Sequence, residues 1–191
     1  MARSNKERTE ATRLALIEAA RRLFVDRGYA DTATPDIVAE AGVTRGALYH
    51  HFEDKKALFR ATLEREAAAV AAHIDTVSLP AGSPREALLS GAAAYFDAMA
   101  VPGRTRLLLL EAPAVLGFEG AGAIDRDNAE GTLKAGLSDL IGKGVDAARL
   151  QALTDLISAA FDRAAIAIET GADRKAYEDA VASLLDGLVR A

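Results

Sequence analysis

The chain has no cysteine, no tryptophan, three histidines and 5% aromatic residues. Without cysteine there is no disulfide framework, no thiolate nucleophile and no thiolate metal site. The histidines, His50, His51 and His73, do not make a ligand set. His50 and His51 are neighbours that diverge on a helix, and no histidine follows a glutamate at three residues' distance, as di-iron bundles require. Neither a Gly-x-Ser-x-Gly elbow nor a Gly-Lys-Ser/Thr phosphate loop occurs. No enzyme constellation remains, and no metal or cofactor is expected. No run reaches about 18 consecutive apolar residues and the N-terminus lacks a signal-peptide core, so a cytoplasmic location is expected.

Proline is scarce, with five residues, and the 15 glycines cluster at break points. Half of the 191 residues are hydrophobic, dominated by Ala and Leu, which predicts an all-α protein with a real core. The net charge of −5 argues at first against nucleic acid. Residues 1–60, however, carry 11 Lys or Arg against 9 Asp or Glu, whereas residues 61–191 carry 12 against 19. The N-terminal part is the basic one, and local charge matters more than the total.

That part holds the most informative stretch, TPDIVAEAGVTRGALYHHFEDKKALF, residues 34–59. Thr34 reads as an N-cap with Pro35 at the first helical position; Ile37, Val38 and Ala41 follow at helical spacing and Gly42 permits a sharp stop. Thr44 reads as a second N-cap, opening a short helix to about His51. Two short helices across a glycine-containing turn make a helix-turn-helix. On the second helix, Leu48 and then Phe52 turn inward. Gly46 and His50 point outward with Ala47 and Tyr49 on the flanks. This outer face carries no anion, which suits a surface pressed against phosphates. Gly46, a poor helix former, is explained by close backbone approach to DNA.

The run AGVTRGALYHHFEDKKALF resembles the signature of the TetR family of bacterial one-component regulators, through Gly42-Val43-Thr44, Gly46, Leu48-Tyr49, His51-Phe52, Lys55 and Leu58. The resemblance covers about residues 12–62. It implies that Thr34, Thr44, Tyr49, His50, His51 and Lys55 touch DNA backbone, and that Arg45, Gly46 and Ala47 approach base edges. It also implies a homodimer.

Upstream, residues 1–10 are polar and read as a frayed, solvated tail whose Arg3, Lys6 and Arg8 form a possible basic arm. A helix from about Thr9 to Arg27 buries Leu16, Ile17, Ala20, Leu23 and Phe24 and ends at Gly28. Downstream, Asp54 caps a helix to about Ile74 that links the head to the rest. Residues 75–84 read as a connection, and Ser83-Pro84-Arg85-Glu86 is a capping box for a helix over 84–100. Leu107 to Leu110 are expected to be buried, with a stop or kink at Pro113. Residues 117–123 are expected to be loose and 123–142 helical. Asp146 caps a helix to about Thr170, and Asp173 caps the last one.

The expected architecture is therefore all-α: a helix-turn-helix DNA-binding domain over 1–58, and a helical ligand-sensing and dimerisation domain over 59–191. The dimer seam is expected on Leu153, Ile157, Ala160, Ala164, Ile168, Val181, Leu184, Leu185 and Leu188. A cavity for a mainly apolar small molecule is expected among Tyr95, Phe96, Met99, Leu107, Leu110, Phe118 and Phe161, with Tyr95, Asn128 and His73 as anchors. The expected function is a homodimeric, ligand-released repressor of a palindromic double-stranded DNA operator. The alternatives are a helical bundle acting as activator or co-regulator, or one whose helix-turn-helix no longer binds DNA.

Overall fold

The computed structural model describes residues 5–77, 82–126, 128, 130–142 and 144–190. It is all-α among these residues: α1 Asn5–Asp31, α2 Thr34–Glu40, α3 Arg45–His51, α4 Lys55–Val77, α5 Pro84–Met99, a π-helical turn Arg106–Glu111, α6 Ala112–Arg126, α7 Glu130–Ile141, α8 Ala147–Glu169 and α9 Arg174–Arg190. They form two compact units. One comprises residues 1–66 and 106–121; the other comprises 67–105 and 122–191. The boundary expected after residue 58 falls inside α4, which passes unbroken from the first unit into the second.

In the first unit α1 packs on α2, α3 and the π-helical turn. Leu16, Phe24, Ile37, Leu48, Leu58, Phe59 and Leu63 are fully buried. Phe24 meets Phe59 edge-on at 5.0 Å between ring centres, and Tyr29 closes the cluster 4.8 Å from Phe59. Burial of each large apolar side chain contributes about 1.5–3 kcal/mol. The helical part of α1 begins at Asn5, earlier than the expected Thr9, so Lys6 and Arg8 lie on a helix; Arg3 is outside the described residues. Gly28 breaks α1 as expected, at φ 82°, a backbone region costly for any residue with a Cβ.

The carbonyls left open by that break are closely capped. Arg106 Nη2 donates to the carbonyls of Phe24 and Val25 at 2.5 and 2.8 Å. The Thr32 hydroxyl lies 2.7 Å from the carbonyl of Gly28. Lys55 Nζ donates to the carbonyls of Tyr29 and Thr32 at 2.8 and 2.9 Å. A cation at a helix C-terminus is favoured by the helix dipole as well as by these bonds.

In the second unit α5 packs on α7, α8 and α9, and α7 packs on α8. Ser83 caps α5 by accepting from the N–H of Glu86 at 3.2 Å, and Asp146 caps α8 by accepting from Ala148 and Arg149 at 3.0 and 3.1 Å. Asp54 and Asp173 cap α4 and α9 in the same way. The connection expected over 75–84 lies partly outside the described residues, since α4 runs to Val77 and description resumes at Gly82.

Four expectations are corrected. Ala33, not Thr34, occupies the N-cap of α2: it has extended backbone angles, and its carbonyl accepts from Asp36 and Ile37 at 3.1 and 3.3 Å. Thr34 is then the first helical residue, and its hydroxyl is released toward Tyr49. Of Leu107 to Leu110 only Leu107 is buried, and Leu110 is 48% exposed. Residues 117–123 are helical rather than loose, broken only at Gly117, where φ is 77°. The helix expected over 123–142 is two helices, α6 ending at Arg126 and α7 starting at Glu130. The π-helical turn directly precedes Pro113, where a widened turn accommodates a residue that cannot donate and whose ring crowds the preceding turn. By length and mean hydropathy of 1.5, residues 106–126 could cross a membrane. Glu111, Pro113 and the break at Gly117 interrupt that run.

Candidate nucleic-acid interface and ligand cavity

The Thr44 side chain accepts from the N–H of Ala47 at 3.2 Å and starts α3 where the spacing predicts. Leu48 is wholly buried and Phe52 nearly so, which fixes the rotation of α3. Arg45, Gly46, Tyr49 and His50 are exposed, Ala47 is half-buried on the flank, and Thr44 is exposed at the helix start. The Arg45 guanidinium lies 5.5 Å from the centre of the Tyr49 ring. Hydrogen bonds from Thr34 and Arg45 hold the Tyr49 phenol below its usual pKa. Thr34, Arg45 and Tyr49 thus form one surface cluster that joins α2 to α3.

His51 is half-buried, with its ring 5.3 Å from that of His50. Burial, then His50 and Arg13, push its pKa below the ordinary histidine value, with Glu10 opposing. The Gly46 backbone is ordinary helix, and a Cβ built on it meets only Thr44 Oγ1, at 3.9 Å. Nothing among the described residues requires glycine at this position. Lys55, expected to touch DNA backbone, also has partners within the chain. Its ammonium already binds two carbonyls of the same unit and sits 4.2 Å from the centre of the Tyr29 ring.

The second unit encloses a cavity of about 260 Å³. Ala71 and Ile74 of α4, Leu88, Gly91, Ala92 and Tyr95 of α5, Leu133 and Gly136 of α7, and Phe161 of α8 make its apolar wall. Asp125, Glu130, Thr132, Ser158 and Asp162 supply its polar atoms. The Tyr95 hydroxyl donates to Asp162 Oδ1 at 2.6 Å. Burial, then the Asp162 charge, raises the Tyr95 pKa well above the usual phenol value. Burial also raises Asp162. Asp125 is pushed up to about 6 by desolvation, then by Asp162 and Glu130, with Ser158 and Arg126 opposing.

A profile described as bacterial regulatory proteins, tetR family, matches residues 16–62, and one described as a tetracyclin repressor-like C-terminal domain matches residues 85–191. The chain belongs to the TetR family. It is 39% identical over 111 residues to the HTH-type transcriptional regulator TtgR of Pseudomonas putida, covering 56% of this chain and 51% of that protein. It is 43% identical over 63 residues to the HTH-type transcriptional repressor BepR of Brucella suis, covering 33% and 30%. The chain spans about half or less of the length of these curated relatives. The crystal structure of a TetR-family transcriptional regulator from Pectobacterium atrosepticum is 36% identical, covers 98% of this chain and 96% of that one, and superposes with a TM-score of 0.72. This TetR-family chain accordingly has the general function of a DNA-binding regulator.

Of the cavity residues expected from sequence, the structure brings Tyr95 and Phe161 together. Phe96 and Met99 are buried in the unit's core, with Phe96 6.2 Å from Phe161 between ring centres. His73 is exposed, and Asn128 donates to the carbonyl of Ile124 at the end of α6. Leu107, Leu110 and Phe118 belong to the other unit, and Phe118 is 89% exposed. The cavity's acidic residues escaped the sequence reading because Asp125 and Glu130 sit at helix ends and Asp162 lies within α8, places where Asp and Glu ordinarily face water.

On α8 and α9, Ile157, Ala164, Val181 and Leu185 are buried within the single chain, so they serve its own core rather than a seam between copies. Leu153, Ala160, Ile168 and Leu188 are half-buried. Leu184 is half exposed, as are Leu156 at 67% and Val189 at 60%, neither of them anticipated. Around Leu156 and Leu184 the outer faces of the two helices are small, with Ala152, Ala159, Ala176, Ala180 and Gly187 exposed. Such faces allow helices to approach closely.

Proposed function

We propose that this regulator is a homodimeric repressor that binds a palindromic operator and is released by a small molecule held in the second unit's cavity. The observation that carries the DNA half is Gly46, a glycine in an exposed helix turn with open space around it. A helix normally favours Ala there, so the constraint comes from outside the chain. The anion-free face of Arg45, Gly46, Tyr49 and His50 supports the same reading, with Arg45 reading a base edge and Thr34, Thr44, Tyr49 and Lys55 positioning the backbone. It also argues against a helix-turn-helix that has ceased to bind DNA. Repression is supported by the name of the Brucella relative.

Dimerisation is assigned to the outer faces of α8 and α9 around Leu156 and Leu184. Two copies related by a two-fold axis would set two recognition helices in major grooves about 34–36 Å apart. Release is supported by connectivity: α4 and α6 each continue from the first unit into the second, and Ala71, Ile74 and Asp125 on these two helices line the cavity. A ligand with different affinities for two positions of those helices shifts the equilibrium between them, and DNA and ligand then oppose each other reciprocally. As gene regulation requires access to DNA, the chain would act in the cytoplasm. The test is selection of operator fragments from random duplex DNA. An inverted repeat whose binding weakens as salt rises is expected; recovery of no preferred sequence would remove the reading.

A further inference from the structure

The lining of the cavity is chemically one-sided. Among the described residues its titratable groups are Asp125, Glu130, Asp162 and Tyr95, and none of the described lining residues is Lys, Arg or His. The carboxylates come from α6, α7 and α8 and meet at one end, while Tyr95 and Phe161 stand 6.1 Å apart as aromatic walls. Asp125, Glu130, Ser158 and Asp162 also line an adjoining pocket, together with Gly122, Arg126, Asp155 and Ala159. Asp162 receives a hydrogen bond from Tyr95, and Ser158 Oγ is 3.5 Å from Asp125 Oδ2. Glu130 accepts from Gln151 at 2.7 Å, and Gln151 in turn accepts from Lys134 at 2.6 Å. These partners are hydroxyls and an amide, so the carboxylate charge at the cavity's end is not cancelled by them. Arg126 lines the adjoining pocket and supplies a counter-charge that acts on Asp125.

We infer that the cavity is built for a lipophilic organic monocation, such as an aromatic quaternary ammonium, whose charge sits among Asp125, Asp162 and Glu130 and whose apolar body fills the space between Tyr95, Phe161 and Ile74. This rests on the reading of the second unit as the sensing half. Carboxylates grouped at one end of a largely apolar cavity repel one another, and an arriving cation offsets that repulsion. The rings add attraction through their negative faces. A neutral ligand gains neither, and an anion is repelled. The apolar ligand expected from sequence thus acquires a charge requirement.

The test uses the full-length protein and three probes of similar shape: benzyltrimethylammonium, its uncharged isostere neopentylbenzene, and phenylacetate. Binding is followed by calorimetry and ligand-observed NMR at pH 8. The cation is expected to bind about tenfold or more tightly than the isostere, with phenylacetate weaker still. Asp125→Asn combined with Asp162→Asn should abolish the preference. If that pair of substitutions impairs folding, the unmodified chain serves instead: its preference should decline as pH falls through about 6 and Asp125 takes up a proton. Isostere or anion binding as tightly as the cation, or a preference indifferent to both pH and substitution, would overturn the ligand class. Failure of all three probes to bind would overturn it too. A cation that binds by these criteria but leaves operator affinity unchanged supports the ligand class and removes the release mechanism alone.

Discussion

The main-chain N–H of Tyr29 donates to Glu111 Oε2 at 2.9 Å, across 82 residues of sequence. Glu111 Oε1 lies 3.2 Å from Arg106 Nε, and Arg106 caps the carbonyls of Phe24 and Val25. The pair therefore clamps the broken end of α1 from both sides, one partner on a donor and one on acceptors. Glu111→Ala should leave the Tyr29 amide without its partner and destabilise the protein by about 1–3 kcal/mol. Hydrogen exchange at Tyr29 should accelerate more than at α8 amides. Uniform acceleration would mean that the clamp is not local.

Lys55 and Arg45 should separate in their effects. Lys55→Ala removes two charge-assisted hydrogen bonds to the carbonyls of Tyr29 and Thr32, so it should lower the melting temperature as well as weaken binding to every DNA sequence. A stability loss of about 2 kcal/mol is expected. Arg45→Ala should leave stability unchanged and relax preference at one base position by about 1–3 kcal/mol. Melting curves with binding titrations over a salt series distinguish them. If Lys55→Ala leaves the salt slope untouched, the ammonium is an internal clamp and not a phosphate contact.

Gly46→Ala should raise stability by about 0.5–1 kcal/mol, since the added methyl finds open space and the helix gains propensity. Operator affinity should fall nonetheless. Unchanged affinity would show that the backbone there does not approach DNA closely.

Leu156→Glu with Leu184→Glu should yield a folded monomer that has lost operator affinity, because both side chains are exposed on the outer face of the α8–α9 hairpin. Ile157→Asp should instead unfold the chain, burying a charge in its own core at a cost of several kcal/mol. Sedimentation and circular dichroism together test the distinction. A dimer that survives the double substitution would relocate the seam.

The raised pKa of Asp125, about 6, predicts a stability change of definite sign. The folded state holds this proton more tightly than the unfolded chain, so stability falls as pH rises from about 4 to about 6 and is flat beyond. Asp162 and Glu130 repel the charge, whereas Arg126 and Ser158 partly stabilise it. Asp125→Asn should therefore stabilise the protein above pH 6 by about 1 kcal/mol at most, because the residue is partly open to water, and should do little near pH 4. Melting temperatures of both proteins across that range check the sign.

The DNA-binding half was legible because its information is local. Caps at Thr44 and Asp54, a break at Gly28 and the inward pair Leu48 and Phe52 act within a few residues of where they stand. The error at the cap of α2 arose because Ala33 does by backbone geometry what Thr34 would do with a hydroxyl. The cavity was only half legible. Tyr95 and Phe161 announce themselves as large and apolar, but Asp125, Glu130 and Asp162 converge from three helices, and no spacing in one helix reveals that. The burial of Ile157, Ala164, Val181 and Leu185 within the chain was hidden for a related reason: α8 and α9 are apolar on two faces, and only packing decides which face the chain keeps for itself.

The π-helical turn at Arg106–Glu111 has a consequence for modularity. Because Arg106 and Glu111 complete the end of α1 from far downstream, the DNA-reading half cannot be excised as a contiguous N-terminal fragment. A chimera that transplants residues 1–66 onto a foreign sensor inherits an α1 whose last carbonyls lack their arginine. A recipient that carries its own equivalent of this arginine–glutamate pair is therefore expected to accept the head with less loss of stability, which makes two residues in the middle of the chain a compatibility element for exchanging heads.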